Sequence, residues 1–141
     1  MSSKCGIIPQ SRMLTFIKWT VHIEQYRYYC LRKQGATEAF PFDQNTLVHK
    51  VAGKMFALTN IDTFESINLK CDPEVALALR EHYQGITPGY HMNKKHWNTI
   101  KMDGRIPDML IYQWIDNSYR LVVSKLAQKN KAWLAPRNND S

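Results

Sequence analysis

Several common signatures are missing from this chain. Its three cysteines, Cys5, Cys30 and Cys71, never form a C-x-x-C pair and are odd in number, which argues against a disulfide framework and against a cysteine zinc site. Cys30 and Cys71 are instead expected as small buried apolar residues. No apolar run reaches the roughly 20 residues a membrane span needs. The nearest stretch, Met13 to Val21, is interrupted by Lys18 and followed by His22 and Glu24 rather than a small-residue cleavage site, so no secretory signal is expected and a cytoplasmic location is. Gly53-Lys54 lacks the long glycine-rich loop that cradles phosphates. The five histidines include no H-x-x-x-H pattern, and no serine sits in an elbow beside a base. Asp72 and Glu74 read as capping groups and Asp103 and Asp108 as turn flanks, so no acid pair stands out for general acid and base work. These absences point to a protein that is not an enzyme and needs no cofactor or metal.

What remains is a single domain's worth of sequence, 141 residues with 44% hydrophobic and 11% aromatic content, enough for a core without disulfides. The formal charge is +7, but it is unevenly placed: residues 1–20 contribute +3, residues 128–141 contribute +2, and the long body between them only +2. Basic ends are a weak sign of nucleic-acid binding. Residues 1–22 read as a flexible, breaker-rich N-terminal extension, 23–127 as the folded domain, and 128–141 as a basic C-terminal tail.

Within the body, Ile23, Tyr26, Cys30 and Leu31 recur at helical spacing up to Gly35, although the pattern leaves open a start as early as Met13. Phe40-Pro41-Phe42-Asp43 breaks the chain. Thr46–Val51 and Lys54–Leu58 are β-type runs around an Ala52-Gly53 turn, and Ser66 to Lys70 alternates so that Ile67 and Leu69 point inward. Asp72-Pro73-Glu74 starts a helix carrying Val75, Ala76, Leu79 and Tyr83. Trp97 to Met102 is a further strand. Pro107-Asp108 opens a last helix with Ile111, Trp114, Ile115, Ser118, Leu121, Val122 and Leu126 on its apolar face. Ser118 reads as a small packing residue. The order is α-β-β-β-α-β-β-α: an α+β protein with helices packed on an antiparallel sheet.

The densest chemistry lies in Gly89 to Ile100, which holds Tyr90, His91, Lys94, Lys95, His96 and Trp97. The lysines and histidines suit phosphate or carboxylate, and Tyr90 and Trp97 could stack on a base. The plainer reading is that Trp97 anchors its strand in the core and the lysines are its solvated flank.

Four blocks together resemble a known family. Thr46 to Leu58 resembles the hallmark hairpin of MmcQ/YjbR (DUF419-type) bacterial proteins. Asn68 to Glu74 and Pro88 to Asn98 resemble the next two motifs. Ser118-Tyr119 with Val122, Val123, Lys125 and Leu126 resembles the C-terminal signature. The resemblance covers about residues 23–127 in order, while the N-terminal extension departs from it. It implies an α+β fold of secretion-chaperone-like arrangement, no established catalytic activity, and DNA binding argued from fold. The expected binding residues are Lys54 and Lys70 on the strands with Tyr90, His91, Lys94, Lys95, His96 and Trp97. Two partner classes follow: DNA, bound weakly and in a salt-dependent way, or protein, through an apolar face of a chaperone-like adaptor. No membrane partner is expected.

Overall fold

A computed structural model describes residues 21–89 and 92–126. Three helices, α1 (Ile23–Leu31), α2 (Pro73–His82) and α3 (Asp108–Leu126), accompany six strands. The strands are β1 (Ala36–Ala39), β2 (Thr46–Val51), β3 (Lys54–Asn60), β4 (Ser66–Lys70), β5 (Ile86–Pro88) and β6 (Trp97–Lys101). They form one antiparallel sheet in the order β1-β2-β3-β4-β6-β5. The α+β class expected from the sequence stands, with β1 as an added strand, so the order becomes α-β-β-β-β-α-β-β-α. No described helix is long and apolar enough to cross a membrane.

The β2–β3 hairpin closes with Val51 opposite Lys54. Ala52 and Gly53 both take positive φ, 51° and 80°, the two-residue geometry that matches the twist of the paired strands. Alternation on β4 sends Ile67 and Leu69 into the core at 0% and 2% exposure. Asp72 caps α2 by accepting from the Glu74 backbone N–H at 3.1 Å, with Pro73 at the first turn. On α3, Ile111, Ile115, Ser118, Val122 and Leu126 of the expected stripe are buried, while Trp114 and Leu121 at its edge are half-buried. The helices cover one sheet face, where Tyr26, Phe56, Ile67, Ile100 and Ile115 meet in the main cluster. Val21 belongs to this cluster at 1% exposure, so the packed domain includes a residue assigned from sequence to the extension. Residues 1–20 and the tail at 128–141 lie outside the described residues. Cys30 is buried as expected, whereas Cys71 is half-buried.

One irregularity shapes the fold. His49 pairs with Ala57 and Lys50 with Met55, which leaves Phe56 as an extra residue on β3: a β-bulge. Beyond the Ala57–Leu69 pair, Phe56 and Lys70 come next on β3 and β4. The Ser118 hydroxyl donates to the Phe56 carbonyl at 2.5 Å and accepts from the Lys70 backbone N–H at 2.9 Å. A residue read from sequence as filler is therefore the polar pin that fastens α3 to β3 and β4. Beside it, Tyr119 donates to the Gln34 carbonyl at 2.6 Å, tying α3 to the segment after α1.

A half-buried polar cluster joins α1 to the sheet. Arg27 bonds Glu38 on β1, and Glu38 meets the Nε2 of the fully buried His49 at 3.0 Å. Burial lowers the His49 pKa from 6.5, against the opposing pull of Glu38. Because the folded chain disfavours the imidazolium, the unfolded chain takes up that proton first. The His49 contribution is thus complete above 6.5 and lost as pH falls from there toward the folded value. Glu38, held below 4.5 chiefly by its hydrogen bond from Arg27, adds a loss at lower pH as pH falls through its own depressed value. Urea midpoints should therefore drop between about pH 7.5 and about pH 5.5, and His49→Leu should flatten that drop. Parallel profiles for the two proteins would refute this assignment.

Candidate binding surface

The sheet face turned away from the helices carries the candidate site. Cross-strand partners share a face, so the register identifies its residues. Val48, Leu58 and Trp97 form a second, smaller apolar cluster there, flanked by Met55 and Met92. Trp97 is 6% exposed, so it is an anchor of that cluster and not a free stacking platform. Pro88-Gly89 brings β5 against it: the Gly89 N–H donates to the Trp97 carbonyl at 2.7 Å, and a Cβ at position 89 would lie 2.6 Å from the Trp97 Cβ. Only glycine permits that approach.

The loop before β6 is held from behind. Arg80 of α2 donates through Nε to the Asn98 side-chain oxygen at 2.7 Å and through Nη2 to the Lys94 carbonyl. Asn98, 2% exposed, in turn donates to the Ala76 carbonyl at 3.4 Å. His96 is half-buried, and its carbonyl accepts from the Cys71 N–H at 2.7 Å. With the backbone fixed this way, Lys94 and Lys95 stand exposed on a turn whose Asn93 side chain accepts from the Lys95 N–H. Tyr90 and His91 lie outside the described residues.

Lys54 and Lys70 are brought toward this region by topology. At the end of the sheet where β2 turns into β3, β4 also ends and β6 begins, so Lys70 sits directly opposite Trp97. Lys54 opens β3 at the same end. Lys125, near the end of α3, was not anticipated as a site residue. Burial lowers the Lys70 pKa from 10.5, and the positive charges of Lys125 and then Lys54 lower it further. None of these lysines, nor Lys94 or Lys95, makes an ion pair among the described residues. The ion pairs of Arg27, Lys33, His49 and Arg105 use Glu24, Glu38, Asp116 and Asp103 instead. Asp72 and Glu74, at the start of α2, are the acids close in sequence to this end. No group of three or more metal-ligating side chains occurs among the described residues.

Comparison with known proteins fits the motif order. The YjbR family profile matches residues 31–121. The chain belongs to the YjbR family. It is 33% identical over 113 residues to the uncharacterised protein YjbR of Escherichia coli K12, covering 79% of this chain and 96% of that one. It is 38% identical over 98 residues to the uncharacterised protein YbdF of Escherichia coli O157:H7, covering 69% and 80%. Among solved structures it is similar to the DUF419-domain protein DR2400 of Deinococcus radiodurans, with a TM-score of 0.71, 41% identity and coverage of 75% of this chain and 81% of that one. A protein from Pseudomonas syringae gives a TM-score of 0.60 at 28% identity, covering 71% and 97%. The YjbR match spans Lys54, Lys70 and Lys94 to Trp97 but stops short of Lys125.

Proposed function

We propose that this YjbR-family protein is a non-catalytic binding protein that contacts DNA phosphates through the lysine-bearing end of its sheet. The supporting observation is the convergence of Lys54, Lys70 and Lys125 from three separate elements: besides burial, the two neighbouring charges lower the Lys70 pKa, and none of the three makes an ion pair among the described residues. Mutual repulsion of this kind is relieved by an external anion, and a polyanion that spans Lys94 and Lys95 as well relieves more of it. The test is DNA affinity across a salt series for the wild type and for variants carrying Lys54→Ala with Lys70→Ala, or Lys94→Ala with Lys95→Ala. Each double variant should bind more weakly, and its salt slope should become shallower by about one to two units. Wild-type affinity in both variants would assign any binding to the basic chain ends and sink this reading.

One observation favours a second reading, protein interaction. Between α2 and α3 runs a groove of about 550 Å³ lined by Leu69, Val75, Leu79, Trp114 and Leu121. Val75 is 47% exposed, an apolar side chain at the rim of this groove. A partner held there would bind with little dependence on salt.

A further inference from the structure

The open sheet face also holds a groove of about 600 Å³ between the segment at Phe42-Asp43 and the loop at Met92-Asn93. We propose that this groove receives one unpaired nucleobase bearing ring carbonyls, thymine, uracil or guanine, from a single strand. The inference rests on the DNA reading above and specifies what that surface would hold beyond phosphates.

The groove is apolar at its base, where Leu58, Met55 and Trp97 lie, and Phe42 stands at its edge 64% exposed. An exposed aromatic ring beside an apolar floor suits a flat ring, since every base has a π-face. The polar lining is one-sided. A carboxamide offers one carbonyl acceptor and one NH2 donor group. In Asn60 the carbonyl accepts from the backbone N–H of Asp62 at 2.9 Å and of Thr63 at 3.1 Å. The Asn93 carbonyl accepts from Lys95 N–H at 2.9 Å, and the Asn68 carbonyl from the Thr99 hydroxyl at 2.5 Å. All three carbonyls are thus engaged, while none of the three NH2 groups has a partner among the described residues. The register fixes two of them over the same floor: Asn68 lies opposite Leu58, and Asn60 opposite Thr46.

Donors in excess select a ligand with acceptors in excess. The carboxylate of Asp43 lines the same groove and already accepts from the N–H groups of Asn45 and Thr46 and the Thr46 hydroxyl. Its negative charge disfavours an anion inside, so the occupant is neutral, flat and carbonyl-bearing. Thymine, uracil and guanine fit, because O4, or O6 with N7, meets the donors with acceptors; adenine and cytosine set an exocyclic NH2 beside their acceptors, donor against donor, and fit less well. A paired base would have to leave its duplex to enter, which selects single strands. The lysines at the adjoining sheet end, which form no ion pair among the described residues, then lie where the strand's phosphates run.

The experiment is fluorescence anisotropy at one low salt concentration, with the full chain and labelled oligo-dT, oligo-dA and their duplex, all of equal length. The backbone charge per strand is the same for oligo-dT and oligo-dA, so phosphate contacts cancel between them. Wild type should favour oligo-dT by about tenfold, the discrimination expected of one good base contact. Asn68→Ala should bring the ratio close to one by weakening oligo-dT alone. Phe42→Ala should weaken both single strands and leave the duplex unchanged. Melting curves confirm folding, which both variants should keep because Phe42 is exposed and Asn68 only half-buried. Equal affinity for the two strands, or a preference that survives in Asn68→Ala, overturns the base pocket while leaving the phosphate reading in place. Thymidine monophosphate competing as well as oligo-dT, base for base, overturns a strand as the occupant. Failure to bind any of the three probes overturns both readings together.

Discussion

Ser118→Ala is expected to lower the stability of this domain by about 2–4 kcal/mol, with a fall in melting temperature of roughly 10–20 °C. The substitution removes almost no volume, so a packing account predicts little change. The large effect comes from two backbone groups of the sheet: the Phe56 carbonyl loses its donor while the Lys70 N–H loses its acceptor. Each buried group left unsatisfied costs about 1–3 kcal/mol. Ser124 offers the control: it lies on the same helix, is exposed, and donates to the Leu121 carbonyl at 2.9 Å. Ser124→Ala should move the midpoint by less than about 0.5 kcal/mol. Equal, small effects at both positions would show that these two groups find water or other partners once the hydroxyl is gone.

Trp97→Ala should cost about 3–5 kcal/mol, the range for truncating a buried aromatic. Its side chain fills the space among Val48, Leu58, Met55 and Met92, and no helix among the described residues packs on that cluster to close in from above. Chemical denaturation measures the loss, and Phe42→Ala in the same groove should be nearly neutral because that ring is exposed. A Trp97→Ala protein as stable as the wild type would mean that the residue is held for a ligand rather than for the fold. Any binding experiment on this variant must therefore be read against its fraction folded.

Much of the frame was legible from local chemistry. Ala52-Gly53 between two β-type runs announced the hairpin, and Asp72-Pro73-Glu74 announced α2, because both depend on residues adjacent in sequence. The buried stripe of α3 followed from helical spacing. β1 escaped notice because Ala36-Thr37-Glu38-Ala39 lacks the aromatic and mostly the branched residues that mark strands. It is held instead by pairing with β2 and by Glu38 reaching both Arg27 and His49, contacts made across 11 residues in each direction. α2 was marked out by its start and by Val75, Ala76, Leu79 and Tyr83, but how little of it is covered was not legible: only Ala76 is buried, and Val75 is 47% exposed. For the site, the Lys94–Trp97 run was plain as a sequence feature. That Lys54, Lys70 and Lys125 gather at one sheet end was not, since it depends on which strand ends coincide. Likewise, no spacing rule distinguishes an asparagine whose carbonyl is spoken for from one that is free.

The two outer strands decide how copies of this protein can meet. β1 has four residues and is followed at once by Phe40-Pro41, and β5 has three and ends in Pro88. A proline cannot donate to a neighbouring ladder, and borders this short offer an incoming chain too few rungs to hold it. Lateral growth into ribbons or fibres is thereby blocked on both flanks without help from charge. Among the described residues, association between copies is left to the broad surfaces, where the lysine-rich end repels its own kind and the apolar groove does not.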